Sequence, residues 1–307
     1  MSLVRIATRG SELALAQARA MAARVERALG VRSELVIVQT SGDRLQDRPL
    51  QALGGKGLFV KEIEEALLAH RADLAVHSAK DLPAATPPGL ALVAWPERAD
   101  PSDALVCRRR GGGLDALPRG ARVGTGSVRR AAQLRALRPD LVVVPLRGNV
   151  PTRLRKLDEL ELDAVLLASA GLVRLGLAGR IDERLDPARF LPALAQGILA
   201  LEARAEEPLA RELAALDDPE AARAAAAERA FLRRLEGDCA VPLAGLATPE
   251  GEGVRMRGLV ASLDGRRLAR GEAAAAPVEA GRLAAEAALR DGGAEILAEL
   301  RAAEGRV

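Results

Sequence analysis

Apolar positions along the chain follow two alternating rhythms. Residues 3–7 alternate with period two, and Ser11 then opens a period of 3.6 carried by Leu13, Leu15, Ala18, Met21 and Val25 and closed by Gly30. This predicts a strand, a tight turn and a helix. Residues 34–39 predict a second strand. The polar, glycine-rich run 40–57 has too few apolar residues for a regular buried element and is expected to be a mobile loop. A helix is expected over 59–69, with Phe59, Ile63, Ala66 and Leu67 on one face. The strand over 73–77 empties into Ser78, Ala79, Lys80 and Asp81, and residues 90–95 complete a first α/β lobe. After the linker-like 96–101, strands are expected over 104–107, 122–124, 141–144 and 164–168, separated by helical patterns. From Asp217 the rhythm changes: a helix to about Leu235, a turn holding Cys239, three strands in a meander, then two helices.

Strands that alternate with helices imply sheets covered on both faces, with ligands received at the carboxyl ends of strands. Two such lobes imply a cleft between them, with a small α+β domain appended. The length of 307 residues allows about two to three domains at roughly 150 residues each. An apolar fraction of 49% with 28% charged residues excludes a disordered chain. No run approaches 18 uninterrupted apolar residues and the start lacks signal-peptide features, so a cytoplasmic location without membrane attachment is expected. Cys107 and Cys239 are a single pair of thiols, which makes a disulfide framework improbable, and no metal-ligand spacing is present.

The charges matter through their placement. Net charge is +3, yet only four of 45 basic residues are lysine, leaving 41 arginines. Arginine offers a rigid two-pronged donor matched to carboxylate or phosphate. Thr8-Arg9-Gly10-Ser11 stands at a strand-to-helix turn, where free backbone N–H groups and the helix dipole favour an anion. Gly124-Thr125-Gly126-Ser127 repeats the device with Arg129 and Arg130 in the following first turn. Cations there are unfavourable unless an anion compensates them. Ser11 and Ser127 are equally readable as simple N-caps. Arg147, Gly148 and Asn149, with Arg153 and Arg155 beyond, and then Arg174, add further basic points near strand ends. Together they suit a small polyanion held in one cleft, although each alone is more simply a solvated side chain.

Competing motifs fail. Gly54-Gly55-Lys56-Gly57 lacks the order of a phosphate loop, and Gly124 with Gly126 lacks the third glycine of a dinucleotide fingerprint. Four aromatics, balanced charge and the absence of a basic tract argue against nucleic acid. Asp81 is either a turn cap before Pro83 or a functional carboxylate at the place where a parallel sheet presents its site. His77 is expected to be a core histidine and Cys107 a packing residue, whereas Cys239 is either an inert loop thiol or a reactive one.

Six segments in register resemble the porphobilinogen deaminase (hydroxymethylbilane synthase) family over nearly the whole chain: Thr8-Arg9-Gly10-Ser11, residues 54–62, His77-Ser78-Ala79-Lys80-Asp81, residues 124–130, Leu146-Arg147-Gly148-Asn149 and residues 235–239. The resemblance implies two periplasmic-binding-protein-like α/β lobes with mixed sheets flanking a cleft, plus a small C-terminal α+β domain. It divides the chain into 1–96 with 195–214, 100–190, and 217–307. It implies a dipyrromethane cofactor held by a thioether on Cys239, and head-to-tail joining of four porphobilinogens with loss of ammonia, ended by hydrolysis to the linear tetrapyrrole. Asp81 matches the family's catalytic aspartate. Cys239, Lys80, Ser78, Thr125, Ser127, Arg129, Arg130 and Arg147 match cofactor positions. Arg9, Ser11, Gln17, Lys56, Phe59, Arg147, Gly148, Arg153 and Arg174 match substrate positions, Lys56 and Phe59 through the active-site loop. A monomer without metal is implied. The family commonly has serine where this chain has Gly126, and Gly-Gly-Cys-Gln where it has Gly237-Asp238-Cys239-Ala240. A two-lobed solute-binding protein for a small polycarboxylate would use the same arginines without turnover; the lack of a signal peptide and the placement of Cys239 weigh against it.

Overall fold

The computed structural model describes residues 3–40, 60–236 and 241–304. The first sheet takes β1 (Leu3–Arg9), β2 (Arg32–Val38), β3 (Leu74–Ser78), β4 (Leu90–Ala94) and a late strand, β10 (Leu199–Arg204), in the order β2-β1-β3-β10-β4. β1 pairs in parallel with β2 and β3, while β10 runs antiparallel to both of its neighbours. The second sheet is built the same way from β5 (Asp103–Cys107), β6 (Arg122–Thr125), β7 (Val142–Pro145), β8 (Ala164–Ala168) and the two-residue β9 (Glu183–Arg184), in the order β7-β6-β8-β5-β9. Here β6 is parallel to β7 and β8, and β5 is antiparallel to β8 and β9. In each sheet the antiparallel strand beside the parallel ones is the first strand after the chain crosses between lobes. The mixed sheets implied by the resemblance are therefore present, and β10 and β9 are additions that short apolar runs could not announce.

The helix Glu12–Leu29 forms where the apolar stripe demands it. Ser11 caps its start by accepting from the Ala14 N–H, and Gly30 at φ 65° closes it. Its buried Ala18, Met21 and Val25 pack with Val4, Ile6, Leu74 and Leu201 across the sheet face. The opposite face of that sheet is covered by Ile63 and Leu67 of the helix Lys61–Leu68. The third sheet is a meander of β11 (Leu243–Glu250), β12 (Gly253–Ala261) and β13 (Leu268–Ala275). Phe231 of the helix Pro219–Arg234 and the alanine face of Pro277–Ala288 pack with its inward residues, including Val254, Met256 and Val260. That core also takes in Val60, Ala79, Leu82 and Ile198, so the C-terminal unit is apolar glue beneath the Asp81 turn.

The two connectors between lobes lie side by side. The Ala99 N–H donates to the Gly197 carbonyl at 3.1 Å, and Gly197 sits at φ 89° with space for no side chain, since a Cβ there would stand 2.2 Å from the Ala99 oxygen. The fully buried Glu228 joins both connectors to the third unit. It accepts from Arg98 at 2.6 and 3.3 Å, from the Ala195 N–H, and from the Ala247 N–H at 2.8 Å.

Candidate functional site

Most of the expected site residues among those described follow the carboxyl ends of parallel strands. β3 ends at Ser78, and one tight turn, Ala79–Asp81, carries Lys80 and Asp81 beyond it. The Ala79 N–H donates to the Ile198 carbonyl at 3.0 Å, which anchors this turn to the returning connector. Opposite, β6 delivers Thr125 to Ser127, β7 delivers Arg147 and Gly148, and β8 delivers the short helix Ser169–Arg174.

Between the lobes lies a cavity open to solvent. Gln17, Ser78, Lys80, Arg130, Arg153 and Arg174 all line it, so six of the candidates are brought to one place. Leu13 and Val150 add apolar wall, and Gln196 and Gly197 form part of the floor. No carboxylate is among the described lining residues.

Each of these side chains is held. The Gln17 amide and the Ser78 hydroxyl bond each other, at 3.1 Å with the amide donating and 3.3 Å with the hydroxyl donating. Lys80 Nζ donates to Gln196 Oε1 at 3.3 Å. Arg153 Nε donates to the Gly148 carbonyl at 2.7 Å, and Arg174 Nη2 to the Gly197 carbonyl at 2.7 Å. Burial pushes the Lys80 ammonium down to about 8, against the pull of Asp81, and Arg130 lowers it further. Burial likewise brings Arg153 to about 10, helped by the charges of Arg130 and Arg147, and Arg174 to about 10. Lys80 and Arg153, lowered by burial and by neighbouring cations, and Arg174, lowered by burial alone, would each be favoured in the charged form by an arriving anion.

Other candidates play different parts. Thr125 Oγ1 accepts from the Ser127 N–H at 3.2 Å, and Ser127 Oγ caps the next helix by accepting from the Arg130 N–H at 3.4 Å. Ser11 and Ser127 are thus both N-caps. Gly126 has a packing reason: a Cβ there would stand 2.4 Å from the Leu146 carbonyl oxygen. Arg129 is buried but outside the cavity lining, and Arg147 stands half-buried after β7. Gly148, at φ 119°, takes a conformation suited to glycine, and Asn149 caps the helix Val150–Glu159. Arg9 ends β1. Arg155 points to solvent and pairs with Glu159. Cys239, Lys56, Phe59, Gly237 and Asp238 lie outside the described residues, as does most of the run expected to be a mobile loop.

Two neutral expectations hold. His77 is buried with Nε2 3.0 Å from Glu202 Oε2, a core histidine. Cys107 is buried in β5, and desolvation pushes its thiol up to about 11. The sequence reading missed Asp103 and Gln196. Asp103, fully buried at the start of β5, is the anion that Arg129 and Arg130 require, accepting from them at 2.6 and 2.7 Å. The unfavourable pairing of cations with a helix N-terminus was its one signal in the sequence.

The donor set suits a polycarboxylate: four cations and three neutral polar side chains, with cations contributed by both lobes. Comparison with known proteins agrees. Residues 4–212 match the family model described as "Porphobilinogen deaminase, dipyromethane cofactor binding domain", and residues 222–290 match that of the C-terminal domain of porphobilinogen deaminase. A protein of Roseiflexus sp. strain RS-1 named porphobilinogen deaminase is 52% identical, covering 95% of this chain and 98% of its own. Proteins of the same name from Syntrophobacter fumaroxidans and Nitratidesulfovibrio vulgaris are 50% and 52% identical, covering 96% and 97% of this chain and 94% and 96% of their own. Among solved structures, a periplasmic substrate-binding protein of an ABC transporter from Coxiella burnetii is similar at 13% identity and a TM-score of 0.43, covering 73% of this chain and 96% of its own. No helix of the described residues is long and apolar enough to cross a membrane.

Proposed function

Since the chain belongs to the porphobilinogen deaminase family, the transferases that join four porphobilinogens head to tail with loss of ammonia and release hydroxymethylbilane by hydrolysis, we propose how its own residues do this work. Held by a thioether on Cys239, the dipyrromethane supplies the free pyrrole position from which the chain grows. Lys80, Ser78, Thr125, Ser127, Arg129, Arg130 and Arg147 would hold that group, and Arg9, Ser11, Gln17, Lys56, Phe59, Gly148, Arg153 and Arg174 would receive substrate, with Arg147 serving both. The enzyme acts as a cytoplasmic monomer in this reading.

The observation that carries the proposal is the convergence of Lys80, Arg130, Arg153 and Arg174 on one cavity beside the Asp81 turn. Every pyrrole brings an acetate and a propionate, so two carboxylates arrive with each unit and need charge-assisted donors. Low-dielectric surroundings strengthen those bonds, and an arriving carboxylate raises the depressed Lys80 back toward its ordinary value.

Asp81 does the chemistry's electrostatic part. The aminomethyl group of porphobilinogen is a protonated primary amine at neutral pH, so ammonia leaves without a separate acid. A pyrrole ring that has lost ammonia carries positive charge, and the Asp81 carboxylate, accepting the ring N–H, stabilises it as it develops. Removal of the surplus ring proton after coupling is its second task. Asp81→Asn keeps the shape and loses the charge. Intact-mass measurement should show the thioether-bound group still present, while turnover falls at least about a hundredfold. Near-normal turnover in a loaded Asn variant would remove Asp81 from this role.

A further inference from the structure

Asp103 receives five hydrogen bonds. Arg129 Nη1 donates to Oδ2 at 2.6 Å. Oδ1 accepts from Arg129 Nη2 at 3.2 Å, Arg130 Nε at 2.9 Å, Arg130 Nη2 at 2.7 Å and Gln196 Nε2 at 3.0 Å. The same Gln196 nitrogen donates to the carbonyls of Pro101 and Ser102, and Gln196 Oε1 accepts from Lys80. The bonds form one continuous chain. It runs from Lys80 after β3, through Gln196 on the returning connector and Asp103 at the start of β5, to two arginines in the first turn of the helix Val128–Leu137.

The direction of each donor then follows. A guanidinium has five N–H groups. Arg130 spends two on Asp103 and one on the Leu166 carbonyl at 3.2 Å, leaving two at its terminal nitrogens, and it lines the cavity. A carboxylate so placed works against anion binding by charge alone, yet it sits where it sets the angle of the guanidinium and, through the amide, of the ammonium.

We propose that Asp103 is a positioning residue for the condensation: it locks Arg130, and through Gln196 the Lys80 ammonium, in the orientation a ligand carboxylate needs before any ligand arrives. Ordering these long side chains is then completed during folding, and binding keeps more of its interaction energy. This rests on the polycarboxylate reading of the cavity.

Charge and position predict opposite signs, which makes the test clean. Asp103→Asn keeps the shape and adds one net positive charge, and Asp103→Glu keeps the charge and shifts the oxygens by one methylene. The full-length cofactor-free chain is supplied with porphobilinogen, and its mass gain is followed with time; KM is then measured on loaded enzyme. Positioning predicts that Asp103→Asn loads about tenfold more slowly with KM raised about tenfold, and that Asp103→Glu is impaired at least about threefold in the same direction. A lower or unchanged KM in the Asn variant, a wild-type Glu variant, or a reduced melting temperature with unaltered loading and KM would each overturn the proposal. Should neither variant fold, exchange of the Arg130 Nε–H in the wild-type cofactor-free chain decides: protection before ligand is expected, and fast exchange overturns it. If the wild-type chain takes up no porphobilinogen, the functional reading itself fails; if it loads and both variants keep pace, only the role of Asp103 does.

Discussion

A Lys80→Met substitution should stabilise the cofactor-free chain while disabling it. The ammonium is buried beside Arg130 and Arg129, and its pKa falls from 10.5 to about 8. Between those values the folded chain binds fewer protons than the unfolded one, so the wild type gains stability as pH rises through that window. Below pH 8 the cost of the charged form is fully present, about 3 kcal/mol at 1.36 kcal/mol per pKa unit. Methionine fills a similar volume without the charge, and losing the hydrogen bond to Gln196 returns about 1 kcal/mol. The net expectation is a gain of about 2 kcal/mol at pH 7 that vanishes by about pH 10. Urea unfolding followed through the single Trp95 measures both points. An unchanged or lower stability at pH 7, or a gap that does not close with pH, would refute the reasoning. The same variant should take up no cofactor, and loading the wild type should reverse the order of stabilities, because a bound carboxylate turns the costly cation into half of an ion pair.

Glu228→Ala leaves Arg98 without its buried carboxylate and strips two backbone N–H groups of their acceptor. It should destabilise the chain by about 3–5 kcal/mol, read as a lower urea midpoint, and a loss below about 1 kcal/mol would contradict the junction described above. Cys107, with its buried thiol at about 11, should stay unmodified when the native chain is treated with iodoacetamide at pH 8 and react fully in urea, as peptide mass analysis would show.

Much of this molecule is written locally. Alternation at residues 3–7 and the stripe after Ser11 were enough for β1 and its helix, and a buried strand opening into Ser78, Lys80 and Asp81 marks its own ligand end. Placement near strand ends pointed the arginines to one cleft, and four basic side chains line it. What escaped notice depends on distant partners. Asp103 reads as the polar edge of an apolar strand until Arg129, 26 residues later, and Gln196, 93 residues later, close on it. The expectation that the paired arginines need an anion was sound, and the first anion they find belongs to the protein. Arg155, by contrast, stands near the site residues in sequence and faces water, because two residues along the helix turn it about 200° away from Arg153.

The strand order has a consequence for synthesis on the ribosome. β10 lies between β3 and β4, so the sheet that holds the N-terminus lacks the strand that joins those two until residue 204 has emerged, whereas every strand of the second sheet falls between residues 103 and 184. Of the two lobes, the one translated first is therefore the second to be finished. Until then its apolar strand edges stand open, and the nascent polypeptide depends on the later half folding early and promptly handing the tail back.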